Sequence, residues 1–294
     1  NLAGAVERTL AIRRQICAPD LMALISRAHT IPVLPDNLAR LFALLGTPNV
    51  AIAEVADAIA ADLGLTAQIL KLVNTAFFAT PADISDVAQA VELLGFELIR
   101  SIAVLTGSFQ SFQRAGVDLQ ALLRLTRRSE SIAIAAQRIA RLDGLSPEEV
   151  DHCQSAGLLA HVGSLMLFAN WPGEMYCVQQ ELDRAGGGII AAERRHFEAA
   201  HPEIGAGLLR LWGFNDAIVE AVLHHHAPSA AGARDRIGPL AVVHAAQRLV
   251  KPGAAEMLLG GGRPTDLDMD FLAACGAAER LAEWARLCLQ DDPP

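Results

Sequence analysis

Aromatic side chains are scarce: they make up 5% of the 294 residues, with a single tyrosine. Hydrophobic residues still reach 52%, carried mainly by Leu and Ala, a balance that favours helices packed at close range over sheets. Period-2 alternation is missing as well, and no segment reads convincingly as a strand. Basic charge is short: 24 Lys+Arg against 33 Asp+Glu give a net charge of −9. That argues against a general nucleic-acid binder, which needs a basic surface, while leaving room for a local basic patch. The cysteines Cys17, Cys153, Cys177, Cys275 and Cys288 form no CxxC pair and no zinc-ribbon spacing. A scattered, odd set reads as buried or free thiols in a reducing cytosol. No basic-then-apolar leader opens the chain, so no secretory signal is expected. The longest apolar stretch, 156–171, is interrupted by His161, Ser164 and Asn170, which suits a buried core helix and not a membrane span. Nucleophile-elbow, Walker, Rossmann and His-Glu-x-x-His patterns are all absent.

What is present is helical spacing almost throughout. Leu38, Leu41, Phe42 and Leu45 recur at i, i+3, i+4 and i+7, as do Ile52, Val55, Ala56 and Ile59; Leu65, Ile69, Leu72 and Val73 continue the pattern. Leu122, Leu125, Ile132 and Ile139 share a face of a longer helix. The expected fold class is all-α. Ser146-Pro147-Glu148-Glu149 predicts a capping box with Pro at the first helical position, which also explains the acidic pair without catalysis. Asp62 is expected to cap a helix beginning at Leu63, and Ser85 one entering at Asp86. Pro32 and Pro35 bracket an extended entry to a helix from Asp36. Loops are expected at 46–49, at 79–81, and at the glycine triplets Gly186–Gly188 and Gly260–Gly262, neither of which follows a strand as a phosphate cradle would. The expected organisation is an N-terminal helical extension (1–20), a main unit (21–250) divided softly between lobe one (21–113) and lobe two (117–250), and a C-terminal helical cap (251–294) whose last residues fray.

Histidine placement carries the chemistry. His161 lies in the stretch Ser155–Leu165, read as one core helix. His201 closes Glu193-x7-His201 and opens His201-Pro202-Glu203-Ile204-Gly205. His224, His225 and His226 end an apolar helix before Ala227-Pro228. Five of the nine histidines could therefore converge in one bundle, and imidazole is the commonest transition-metal ligand. Each one alone reads equally well as a packed or helix-terminal His favoured by the dipole. Arg127 and Arg128, near Arg124, read as a basic stripe or a solvated helix face. Asn74-Thr75-Ala76-Phe77-Phe78 reads as a left-handed helix end with two rings plugging the core. Trp171, Trp212 and Trp284 read as packing residues.

These pieces together resemble an HDOD domain, a divergent relative of the HD and HD-GYP phosphohydrolases. The resemblance rests on Ile31-Pro32-Val33-Leu34-Pro35, Asp62-Leu63-Gly64-Leu65 and Leu70–Phe78. It continues through Ala90–Gly95, Gly157-Leu158-Leu159, Pro172–Tyr176, His201–Ala206, Leu211-Trp212-Gly213 and His225-His226-Ala227-Pro228, and spans roughly 20–250. Its signature positions are Pro32, Pro35, Asp62, Asn74, Phe78, Gly95, Gly157 and Trp212. The frame Gly157–Gly163 is similar to the Gly-Leu-Leu-His-Asp-Ile-Gly segment of HD enzymes. The resemblance implies a metal set that falls on Arg128, Ala160, His161, His201, His225, His226 and Gln247. The first His is thus replaced by Arg128, the His-Asp doublet by Ala160 and His161, and the closing Asp by Gln247.

A two-metal hydrolytic site uses carboxylates to neutralise the dications and hold them about 3.5–4 Å apart. Both carboxylates are gone here, and a guanidinium near the cavity opposes cations. The expectation is therefore no catalytic residue, no cofactor and no resident metal. The role the resemblance implies is a cytoplasmic bacterial signal-transduction module working through protein contacts, since HDOD domains accompany receiver, kinase or cyclic-dinucleotide-related domains. Neither a membrane nor a nucleic acid is expected as partner. Three alternatives stay open: one zinc or similar ion on the four histidines, an anion or nucleotide-phosphate pocket using Arg128, and a residual metal-dependent phosphohydrolase. The absence of an initiator Met fits a fragment of a longer protein.

Overall fold

The structure is a computed structural model that describes residues 18–28, 35–74, 84–110, 119–185, 187–250 and 267–289, together with Leu10, Ile12 and Ile16. Among the described residues there is no strand, and the all-α expectation holds. Helices α1 (Pro19–Arg27), α2 (Pro35–Leu45), α3 (Ile52–Ala60), α4 (Leu63–Val73) and α5 (Val87–Gln110) come first. Helices α6 (Leu119–Leu142), α7 (Pro147–Leu159), α8 (Val162–Asn170), α9 (Pro172–Ala185), α10 (Ile189–Phe197), α11 (His201–Leu211), α12 (Asp216–His224) and α13 (Pro239–Leu249) follow. Helices α14 (Met269–Ala274) and α15 (Leu281–Leu289) close the chain.

The periodic faces read from the sequence become buried faces. Leu38, Leu41 and Leu45 of α2 are buried, as are Val55, Ala56 and Ile59 of α3 and Leu125, Ile132 and Ile139 of α6. Ile52 departs from its pattern: it opens the first turn of α3 and is 40% exposed. The α4 helix is buried on nearly every side. It touches α3 and α5 in the first group of helices and α6, α7 and α8 in the second, and so joins the two. The α6 and α7 helices lie along each other, and Gly157 lets them approach closely where they meet: a Cβ there would sit 3.1 Å from Ala133 Cα. The C-terminal helix packs on α6 and α13 and places Trp284 fully in the core.

Caps fall largely where the residues predict. Asp62 accepts from Leu65 N at 2.9 Å, and Ser146 and Glu149 form the reciprocal box. Two expectations are corrected. The residue capping α5 is Asp86, whose carboxylate accepts from Gln89 N at 2.8 Å, while the Ser85 carbonyl instead accepts from the Ser155 hydroxyl. Asn74 is not left-handed (φ −89°, ψ 5°). Its side chain bridges instead, accepting from Ile84 N at 2.9 Å and donating to Ile84 O at 2.7 Å and Leu70 O at 2.9 Å. An amide makes both bonds of that clamp because it carries a donor and an acceptor together. Of the other signature positions, Pro35 opens α2, Gly95 (φ 70°) breaks α5, and Trp212 is buried at the end of α11 with Lys71 Nζ 5.3 Å from its ring. Pro32, Phe77, Phe78, Gly186 and Gly260–Gly262 lie outside the described residues.

Candidate functional site

The stretch 155–165 is two helices, not one. α7 stops at Leu159, α8 starts at Val162, and His161 sits between them at φ −107°, ψ 17°. The break seats Gly163 directly on the start of α11, where an added Cβ would lie 2.1 Å from His201 O. This close approach brings His161 beside His201, their rings stacked with centroids 5.5 Å apart. His201 is the first residue of α11 and is held from α10: Glu193 Oε2 accepts both from its backbone N (2.9 Å) and from its Nδ1 (2.8 Å). Glu193 and His201 are both buried.

His225 and His226 follow the last turn of α12. His225 Nδ1 donates to Val222 O at 2.6 Å, which leaves the lone pair on Nε2. The His225 carbonyl accepts from His244 Nδ1 at 2.8 Å and from the Gln247 amide, both on α13. His226 Nδ1 accepts from Arg248 at 3.3 Å, and its Nε2 lies 3.1 Å from His201 Nε2. His224, the first residue of the run, is buried but stands outside this group.

One ring nitrogen from each of His161, His201, His225 and His226 lies within 4.8 Å of the others. Two nitrogens of the group, His161 Nδ1 and His225 Nε2, are buried without a hydrogen-bond partner. Each such group costs about 1–3 kcal/mol if nothing satisfies it. Burial is the largest cause holding the pKa of His161, His225 and His226 well below the ordinary imidazole value, and the neighbouring imidazoles and Arg248 push the same way. These rings are therefore neutral, the form that coordinates a metal.

The replaced positions are occupied by structure. Ala160 is fully buried and offers only a methyl group. Arg128 donates to Val250 O at 2.9 Å and to Gln247 O, which ties α6 to the end of α13. Gln247 in turn holds the His225 carbonyl. The carboxylate touching the cluster, Glu193, sits on the outer nitrogen of His201 and not between ligand atoms. Arg128 and Arg248 are both close enough to weigh on His161 by their charge. These residues do not fit a carboxylate-bridged metal pair. Sequence reasoning found the four imidazoles but assigned no role to Glu193, Arg248 or His244. Glu193 carried a spacing signal, eight residues before His201; the backbone acceptor at Val222 carried none.

No helix among the described residues is long and apolar enough to cross a membrane. The HDOD domain model matches residues 31–228. The MmoQ response regulator of Methylococcus capsulatus str. Bath superposes with a TM-score of 0.65 at 25% identity, over 89% of this chain and 98% of that one. A virulence factor of Campylobacter jejuni subsp. jejuni shares the fold with a TM-score of 0.62 at 18% identity, over 94% and 99% of the two chains. An uncharacterized protein of Treponema pallidum (strain Nichols) is 24% identical over 209 residues, which take in 68% of this chain but only 38% of that protein's length.

Proposed function

We propose, for a chain that belongs to the HDOD family, a non-catalytic role in bacterial signal transduction, exercised in the cytoplasm through contacts with a protein partner. One observation carries this reading. The positions where an HD phosphohydrolase needs its first His, its doublet and its closing Asp hold Arg128, Ala160 with His161, and Gln247, and Arg128 and Gln247 are committed to carbonyls of the fold. Without a bridging carboxylate there is nothing to hold two dications or to orient a metal-bound hydroxide between them. The surrounding frame is kept: the α7–α8 break, the Gly163 contact and the α13 strap all maintain a shape whose hydrolytic residues are gone. The likeness to a protein named a response regulator supports a signalling context. In this mechanism an upstream signal shifts the two helix groups about α4, which touches both, and exposes a helical surface to the partner.

The test has two arms. Purified protein is assayed with bis-p-nitrophenyl phosphate and added manganese or iron; no turnover above buffer, and no change on His201→Ala, is expected. Metal-dependent turnover abolished by that substitution would establish a residual phosphohydrolase instead. Crosslinking and co-purification from the native host should recover a defined protein partner, and its repeated absence would count against the contact mechanism.

A further inference from the structure

We infer that His161, His201, His225 and His226 bind a single divalent late first-row transition-metal ion, zinc or a close analogue, through four imidazole nitrogens. The inference concerns one ion without a bridging group and stands whether or not the signalling role is right.

Geometry supplies the first argument. An imidazole centroid lies about 3.2 Å from an ion bound at the ring nitrogen, so four rings in a tetrahedron have centroids about 5 Å apart. The six centroid separations here run from 4.2 to 6.4 Å, and four of them fall between 5.0 and 5.5 Å. Four rings on three separate junctions of the fold are thus gathered close to the spacing an ion requires, and small shifts of the His226 ring would complete it.

Nitrogen chemistry supplies the second. His225 Nε2 and His161 Nδ1 are buried without a partner, so two ring nitrogens stand unused by the protein, and on His225 the bond from Nδ1 to Val222 O puts the lone pair on the unused one. His201 Nδ1 is held by the buried Glu193 carboxylate, an acid–imidazole pair that fixes the ring and turns its Nε2 toward the cluster. His225 is oriented in the same way by Val222 O. These are the outer partners that a metal-ligating imidazole needs, and they are in place before any ion binds. The fourth ring closes the metal-free state. Arg248 donates to His226 Nδ1, and the His226 Nε2–H is shared with His201 Nε2. An ion takes the place of that shared proton; His226 then carries its hydrogen on Nδ1 and releases Arg248.

Ligand type selects the ion. Four imidazole ligands suit zinc, copper or nickel and disfavour magnesium, calcium and manganese, which prefer oxygen. His161 and His226 are only half-buried, so the ion enters from their side. Four protein ligands leave no open position, which makes the ion a clamp joining the α7–α8 break, the start of α11 and the end of α12.

The experiment uses the full chain purified without an affinity tag, loaded with zinc and dialysed against metal-free buffer. Elemental analysis is expected to find one zinc per chain. Cobalt loading should give the visible absorption of tetrahedral nitrogen ligation, and zinc should raise Tm by several degrees. His226→Gln at the rim and His161→Gln, each with helix content confirmed by circular dichroism, should lose the ion and the Tm gain. His196→Gln, outside the cluster, should keep both. Should either cluster variant fail to fold, the wild-type stoichiometry and the cobalt spectrum decide. Substoichiometric zinc in folded wild-type protein, two ions per chain, or wild-type zinc retention in both cluster variants would overturn the inference.

Discussion

Gly163→Ala tests how the site is assembled. A Cβ at this position would lie 2.1 Å from His201 O, 2.9 Å from His201 C and 2.8 Å from Gly205 N. Ordinary contact begins near about 3.5 Å, so α8 and α11 must separate by about 1 Å or more. All three neighbours are backbone, and no rotamer change relieves the overlap. Replacing a helical Gly with Ala normally gains about 0.5–1 kcal/mol. Overpacking of a tight interface typically costs about 1–3 kcal/mol, and this overlap lies at the severe end of that range. The steric cost therefore wins, and a net loss of about 2 kcal/mol is expected. Gly205→Ala is the matched control: its Cβ would meet Gly163 N and the Val162 and Val222 methyl groups at 3.3 Å, and two of those three are side chains that can give. That change is expected to cost less than about 1 kcal/mol. Urea unfolding followed by circular dichroism measures both, with m unchanged if only the native state is strained. A Gly163→Ala protein as stable as wild type, or more stable than Gly205→Ala, would refute the claim that close backbone approach organises the cluster.

Three further outcomes are expected. Asn74→Ala removes the clamp to Ile84 and Leu70 and should lower stability by about 2–4 kcal/mol, while Asn74→Asp, which keeps the acceptor but sets a carboxylate oxygen against the Ile84 and Leu70 carbonyls, should cost at least as much; denaturant titration checks both. Trp284→Ala should cost about 3–5 kcal/mol, because the ring is wholly buried between α15 and the core; a loss under about 1 kcal/mol by the same method would show that the C-terminal helix is not integral to the fold. Burial raises the Cys153 thiol above its ordinary pKa, so little thiolate forms at neutral pH, whereas Cys177 is exposed. In a Cys17→Ser background, iodoacetamide at pH 8 followed by peptide mass spectrometry should label Cys177 first and Cys153 only on unfolding.

Periodicity made most of the fold legible. The i, i+3, i+4 faces of α2, α3 and α6 are the faces that become buried, and the Asp62 and Ser146 caps follow from local chemistry alone. What failed was non-local. The break at His161 goes with a contact to α11, far along the chain, and the local apolar pattern on either side of it gives no hint of it. Asn74 matches the chemistry of a left-handed helix end equally well, and only the position of Ile84 selects the bridge. At the site, the identities of the four imidazoles were readable from their motifs. Their orientation was not, because it depends on Glu193, Val222 O and the α13 strap, which meet the histidines only in three dimensions. Arg128 illustrates the same limit: its charge was apparent, but its engagement with the Gln247 and Val250 carbonyls was not.

The central claim is that these residues hold one ion at most, because no carboxylate remains to bridge two. Anomalous diffraction from crystals soaked in zinc, and separately in manganese, tests it directly. The account predicts one zinc peak among His161, His201, His225 and His226 and none for manganese. Two peaks about 3.5–4 Å apart in either soak would contradict it.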